Sequence, residues 1–362
     1  MIILLSQIRQ SFGKVSDAVN PRKTTVALIV LTVVVIAMGG TIRIYDAGES
    51  CPDWPTCFGT FGFDISEEEQ GDWWEENPEE ADSRGSGHRY TSFQIFTEWI
   101  HRLLAGAVLG PLVILNWIVI RSDKESSSRS KKAALVSLIL IVWQGAVGWL
   151  TVELDNEHWS VALHLGSALA FTLCLVWLWM ELCKDDDAMP SWMEFDPLLS
   201  KKWGPILGWL SISTLITLFS GAFVSTTPGA NYGCGIGGLG ESWPLCNGEL
   251  FPSIEDWEMQ SQVVHRWLVG AIGLMMAYTS YMIWKDCEHG QSGMMLKNWI
   301  FAATLIYLAN IAVGAFYILS WDSDGFFELL SLAHLMMAAA TFTTLATAWL
   351  GLSVIAMRDG SH

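Results

Sequence analysis

Eight stretches of this chain are long and apolar enough to cross a lipid bilayer. A span needs about 20 mostly apolar residues, and such runs lie near 24–42, 93–120, 132–150, 160–183, 204–224, 262–284, 298–320 and 327–357. A lipid-embedded backbone must satisfy its own hydrogen bonds, so runs of this length are helices. The expected fold class is therefore an all-α integral membrane protein with eight transmembrane helices. Composition agrees: 51% of the 362 residues are hydrophobic and only 16% are charged, against about 25% charged in ordinary soluble domains. That excludes a soluble enzyme and a disordered chain. A formal net charge of −17 argues against nucleic acid as a partner. The lipid bilayer is the expected surroundings.

The first apolar run does not read as a cleavable signal. A long charged stretch precedes it, and no small-residue cleavage site follows before Arg43. Orientation follows from the basic residues. Arg9, Lys14, Arg22 and Lys23 precede span 1, and Arg121, Lys124, Arg129, Lys131 and Lys132 follow span 2. Lys184, Lys201 and Lys202 follow span 4, Lys285 and Lys297 follow span 6, and Arg358 follows span 8. The opposite loops hold only Arg43, Arg84 and Arg89, with most of the acid. The basic side is expected to be cytoplasmic, with both termini on it and the protein in the plasma membrane. The acidic run 63–87, with Trp73 and Trp74, reads as a solvated, partly disordered outer insertion, with a partner-docking segment as the alternative.

The chain repeats itself. Gly39-Gly40-Thr41-Ile42-Arg43 is followed by Cys51-Pro52-Asp53-Trp54-Pro55-Thr56-Cys57, then Glu98-Trp99-Ile100-His101-Arg102. Later, Ser220-Gly221-Ala222-Phe223-Val224 is followed by Cys234, Trp243-Pro244-Leu245-Cys246-Asn247-Gly248, and Gln262-Val263-Val264-His265-Arg266. Gln144 to Gly148 matches Asn310 to Gly314, and His164 matches His334. Four spans per half return the chain to its starting side. The expected architecture is two tandem four-helix bundles related by a pseudo-twofold axis along the membrane normal, unlike inverted repeats. The expected divisions are a cytoplasmic tail 1–23, a first bundle 24–183, a cytoplasmic linker 184–202 and a second bundle 203–357.

Of eight histidines, His88, His158, His289 and His362 fall in loops or the tail. His101, His164, His265 and His334 lie in spans 2, 4, 6 and 8, near their outer ends. Ionisable groups inside a membrane are costly and usually functional. A single His could serve only a helix–helix hydrogen bond. Four matched ones suit axial ligation of haem iron in bundle cores. Zinc fits poorly, because neither pair brings a third matched ligand. Arg102 and Arg266 follow two of the ligands, and an Arg fork pairs well with a carboxylate such as a haem propionate. The alternative is snorkelling to headgroups. Arg43 is a third such candidate, with Ser225 at its counterpart position. Glu98 stands three residues before His101, and Gln262 holds that place before His265. Glu98 can take a proton and Gln262 cannot, which points to chemistry in the first half. A plain helix-start carboxylate is the other reading. Cys51, Cys57, Cys234 and Cys246 lie in outer loops, one pair per half, where an oxidising exterior favours disulfides. Zinc binding by these four is the alternative. Cys174, Cys183 and Cys287 read as plain thiols.

Taken in order, these motifs resemble the haem A synthase family, bacterial type with outer-loop cysteine pairs. The pieces are Cys51 to Cys57, Glu98-x-x-His101-Arg102, Gln144 to Thr151, His164, Trp243 to Gly248, His265-Arg266 and His334. The resemblance implies a membrane oxidoreductase that oxidises the C8 methyl of haem O to the formyl of haem A by successive hydroxylation. It implies substrate haem between His101 and His164, and a haem b for electron transfer between His265 and His334. Glu98 matches the family's catalytic acidic residue. Haem O synthase and oxidase-assembly proteins are the implied partners. Ser225, the wide 234–246 spacing and the acidic insertion depart from the family pattern. Two other readings of the residues stay open: a diheme b-type electron-transfer protein, and a haem or prenyl-lipid transporter.

Overall fold

A computed structural model describes residues 20–80, 84–193, 195–253, 256–287, 291–323 and 325–359, with no side-chain description at 291–292 or 354–359. Most of the tail 1–23, with Arg9 and Lys14, lies outside the described residues, as do His289 and His362 and the side chain of Arg358. Among the described residues the structure is helical with four isolated β-bridges. Eight helices are long and apolar enough to cross a membrane: Pro21–Ile44, Ser92–Ser122, Ser128–Glu153, His158–Asp185, Pro197–Thr226, Trp257–Asp286, Gly293–Leu319 and Glu328–Ser353. These are spans 1 to 8 below. Spans 1 to 6 extend past the expected runs at both ends and span 7 at its start, because polar turns continue the helices beyond the apolar segment, while span 8 lies within its expected run. Asn20 accepts from Lys23 N ahead of Pro21. Thr91 and Gln94 form a reciprocal capping box. Asp196 caps span 5 ahead of Pro197, and Asp256 caps span 6.

Each half closes on itself. Span 1 packs on spans 2 and 4, and span 3 packs on spans 2 and 4. In the same order, span 5 packs on spans 6 and 8, and span 7 on spans 6 and 8. The halves meet through spans 4 and 5, 1 and 8, and 4 and 8, the set a twofold exchange of halves requires. Small and apolar side chains fill that seam, including Ile36, Ala168, Leu169, Leu218, Ala339 and Phe342. On the basic side, Met193 and Phe195 of the stretch between spans 4 and 5 bury against Trp203, Leu207, Met276 and Leu352. That stretch is therefore part of the second half's core as well as a connector.

The acidic insertion differs from expectation. Residues Glu67–Glu76 form a helix with a capping box between Ser66 and Glu69, whose bonds hold the Glu69 carboxyl below its ordinary value. The acids face solvent, as expected. Order comes from the other face: Trp74 buries with Phe58, Ile65, Tyr90 and Ile95 against Cys51 and Cys57. Gln70 ties the helix down, donating to the Ile65 and Tyr90 carbonyls and accepting from Tyr90 N.

Candidate functional site

The four intramembrane histidines all line one continuous cavity of about 1270 Å³ that runs through both halves. Each sits against a glycine of the preceding span. A Cβ on Gly39 would lie 3.3 Å from His101 Cε1, and on Gly148 2.9 Å from His164 Cε1. The second half repeats this, with Gly221 at 3.1 Å from His265 Cε1 and Gly314 at 2.7 Å from His334 Cε1. Helix–helix approach through glycine thus sets the position of every ring. All four glycines belong to the repeated motifs, but nothing local in the sequence names their partners. The available signal was their recurrence on each odd-numbered span at the depth of the following His.

The ring anchors differ between halves. Ser220 Oγ donates to the Thr217 carbonyl and lies 2.8 Å from His265 Nδ1. The hydroxyl is therefore free to accept from Nδ1–H. His334 Nδ1 lies 3.0 Å from the Asn310 carbonyl, which can only accept. Both arrangements place the ring proton on Nδ1 and leave the Nε2 lone pair for a metal, the outer arrangement typical of metal-bound His. In the first half, Gln144 Nε2 donates to the His164 carbonyl and lies 3.2 Å from His164 Nδ1. His101 has only a looser contact with the Val35 backbone, and its buried Nδ1 makes no hydrogen bond of ordinary geometry.

The second-half pair has the spacing of a bis-imidazole metal site. An imidazole nitrogen binds a transition metal at about 2.0 Å, and with roughly 1.1 Å from nitrogen to ring centre, rings on opposite sides of one metal have centres roughly 6.2 Å apart. His265 and His334 have centroids 6.3 Å apart with ring planes at 85°. No third His, Cys, Asp or Glu joins such a group among the described residues, which fits a planar macrocycle supplying the other ligands better than zinc.

Above the histidines each half builds the same collar. Arg102 donates to the Cys51 carbonyl at 2.9 Å. Arg266 donates to the Ser242 and Leu245 carbonyls at 2.8 and 2.9 Å. The Cys51–Cys57 and Cys234–Cys246 disulfides form, with Cα–Cα distances of 4.8 and 4.4 Å, which answers the zinc alternative for these cysteines. Cys57-Phe58-Gly59-Thr60 and Cys246-Asn247-Gly248-Glu249 are equivalent tight turns. Both have positive φ at the two central residues and paired backbone bonds across the ends, as a type I′ turn requires. The Trp54-Pro55 and Trp243-Pro244 bonds are both cis.

Glu98 and Gln262 occupy matching places in this collar and do different things there. Glu98 is buried, ion-paired with Arg102, and accepts from Ser50 Oγ at 2.9 Å and Cys51 N at 2.8 Å. Gln262 accepts from Arg266 Nε at 3.1 Å, while its Nε2 is buried without a partner. Arg266 Nη2 and Arg43 Nε are also buried donors without partners, on cavity-lining residues. Such donors fit haem propionates. Arg43 reaches across the seam to donate to the Ser225 carbonyl at 3.0 Å. The first half's arginine therefore comes to the position where the second half carries serine.

The sequence profile of the COX15-CtaA family, cytochrome oxidase assembly protein, matches residues 22–346. The chain is 25% identical to a protein named heme A synthase from Maricaulis maris, over 92% of this chain and 96% of that relative. It is 26% identical to a heme A synthase of Shouchella clausii, over 68% of this chain and 77% of the relative. Against a heme A synthase of Novosphingobium aromaticivorans the identity is 28%, over 71% and 77%.

Proposed function

The chain belongs to the COX15-CtaA family of cytochrome oxidase assembly proteins, and from that premise we propose that it is a haem A synthase of the plasma membrane. The observation that carries this reading is the pairing of four cavity-lining histidines, two per half, each seated on a glycine. In this reading haem O, the substrate, lies between His101 and His164. Its C8 methyl is oxidised to the formyl of haem A by successive hydroxylation. A resident haem b would be held by His265 and His334, and it would supply one-electron redox chemistry when bound. Support for that division is the anchoring of both second-half rings through Nδ1 and their 6.3 Å spacing.

The chain's own residues have separable tasks. Arg102, Arg266 and Arg43 orient haem propionates near the outer boundary. Glu98 accepts protons released as the methyl is oxidised, a role open to a carboxylate and closed to Gln262. Its bonds to Ser50, Cys51 and Arg102 fix it against the loop that closes the site. The disulfides hold these loops over the cavity mouths. In this reading both termini are cytoplasmic, which the Lys/Arg distribution supports, and the matched packing supports bundles at 24–183 and 203–357. Haem O is supplied by a prenyl-transfer reaction on protohaem, so a haem O synthase and oxidase-assembly proteins are the partners this chemistry calls for.

The test is to purify the protein from cells that make haem O, extract its pigments and identify them by mass. Haem b together with haem O, a hydroxylated intermediate or haem A is the expected result. Recovery of unmodified haem b alone, from both halves, would make the chain a diheme electron carrier instead.

A further inference from the structure

Spans 2 and 6 carry the same run, His-Arg followed by two glycines, but with unequal spacing. Gly106 and Gly110 are separated by three residues, Gly270 and Gly273 by two. One extra residue in an α-helix is absorbed as a π turn, a feature often found at functional sites. Span 2 has a π-helix at Leu104–Leu109, beginning three residues after His101. Span 6 is α-helical throughout Trp257–Asp286.

Beside that π turn the cavity wall is open at Gly145, where a Cβ would meet nothing within 4 Å. Span 3 packs on span 2 through the inner segment Gly110–Ser122. Gly106, Val142, Gly145 and Trp149 line the cavity toward its outer side and, with Ile114 of the inner segment, are exposed. Trp54 of the disulfide loop hangs over this opening, its ring 3.4 Å from where a Cβ on Gly106 would be.

The equivalent wall of the second half keeps an exposed, cavity-lining glycine at Gly270 but is bulkier beside it. The match of Gln144 with Asn310 places Tyr307 where the first half has Ile141, and Ile311 where it has Gly145. Tyr307 is buried, packs 3.2 Å from the Cβ position of Gly273, and donates to the Val269 carbonyl at 2.9 Å. Ile311 comes within 3.7 Å of the same position. An aromatic ring and a branched chain thus fill the space between spans 6 and 7 that glycine leaves open between spans 2 and 3.

We propose that the opening between spans 2 and 3 is where the prenyl tail of the substrate haem leaves the first-half cavity and lies in the lipid, and that Tyr307 and Ile311 close the second half to a tailed haem. The proposal rests on the haem A synthase reading and adds how the two sites tell their haems apart. Lipid is as apolar as a protein pocket, so the tail needs only a gap flanked by small residues. A wall that clashes with the tail rejects it, which is specificity by exclusion.

The test uses the full-length protein in lipid nanodiscs, titrated spectroscopically with haem O and with protohaem, which lacks the tail. The His101-dependent signal reports the first half, and a His101→Ala control defines it. Ile141→Tyr with Gly145→Ile copies the second-half wall into the first. Haem O affinity should fall about tenfold or more in this variant while protohaem affinity changes far less, and the His265/His334 haem signal should persist as the control for folding. Equal loss for both haems, or no loss for either, overturns the tail path. A wild-type protein with no His101-dependent haem O signal would instead defeat the synthase reading on which the proposal stands. Val142→Cys gives a second measurement without a bulky change. Its alkylation by a lipid-soluble maleimide, read above the wild-type background, should be slowed by haem O and not by protohaem. Protection by neither, or equally by both, counts against the tail path.

Discussion

In the first half a carboxylate stands four residues before the collar arginine, and in the second an amide stands there. Around that difference nearly everything else is held constant: the His on its glycine, the arginine on the loop carbonyls, the disulfide and its tight turn. A duplicated scaffold thus serves as its own control. On the proposed reading, features on which the halves agree serve to hold a haem, and features on which they differ serve what is done with it. The differences are the Glu98–Gln262 exchange, the anchoring of the rings, the π turn with its opening, and Arg43 against Ser225.

The largest expected effect comes from the ligands. Replacing His265 and His334 together with Ala should remove the low-spin b-type spectrum of the purified protein entirely. His101→Ala or His164→Ala should leave that spectrum and abolish haem A formation. Full haem b in the His265→Ala, His334→Ala variant would break the assignment of the second half.

Next comes the exchange of the acid and the amide. Glu98→Gln makes the first half imitate the second with little change of shape. The variant should keep its haem b, lose most haem A formation and accumulate haem O or a hydroxylated intermediate. Gln262→Glu should leave product formation largely intact. The structure adds a competing structural role, since Glu98 anchors Ser50 and Cys51. Gln retains an acceptor for that purpose, so normal haem A output from Glu98→Gln would reduce Glu98 to a loop anchor.

The span positions, the four histidines and the cysteine pairs were legible in sequence because each rests on a local signal. Apolar length, an ionisable group in a helix, and outer-loop cysteines need no knowledge of neighbours. The partners of those residues were not legible. That Gly314 seats His334, or that Arg43 crosses to Ser225, depends on which helices touch. The order of Glu67–Glu76 is not legible from its acid content, because two tryptophans and one glutamine on its other face decide it. The π turn hides in a single-residue difference that only the alignment of the two halves exposes.

The glycine seats sharpen the comparison in a graded way. Gly→Ala gains about 1 kcal/mol of helix propensity and costs about 1–3 kcal/mol where the new methyl overpacks. At Gly39 the methyl would sit 3.3 Å from the ring, and at Gly314 2.7 Å. Gly314→Ala should therefore displace His334 and strip much of the second-half haem. Gly39→Ala should be close to neutral. Haem content per protein across the four alanine variants should fall in the order Gly39, Gly221, Gly148, Gly314, and an inverted order would show that the glycines do not position the rings.

The smallest effect is expected from the disulfides, and here the halves should differ in degree. Closing a loop twice as long removes about 0.6 kcal/mol more entropy from the unfolded chain. The Cys234–Cys246 bridge spans 12 residues and Cys51–Cys57 spans 6. The shorter loop is also held by other bonds: Glu98 takes the Cys51 N–H, Arg102 the Cys51 carbonyl, and Trp99 Nε1 donates to the Pro55 carbonyl. Replacing Cys51 and Cys57 with Ser should accordingly reduce haem A formation without abolishing it. The Cys234, Cys246 pair should cost more thermal stability than activity. In the wild type, a membrane-impermeant thiol reagent should label none of the four until a reductant is added. Labelling without reductant would mean that bonds to Glu98 and the arginines, rather than the bridges, hold the loops over both cavities. The two Cys→Ser variants would then be indistinguishable from wild type.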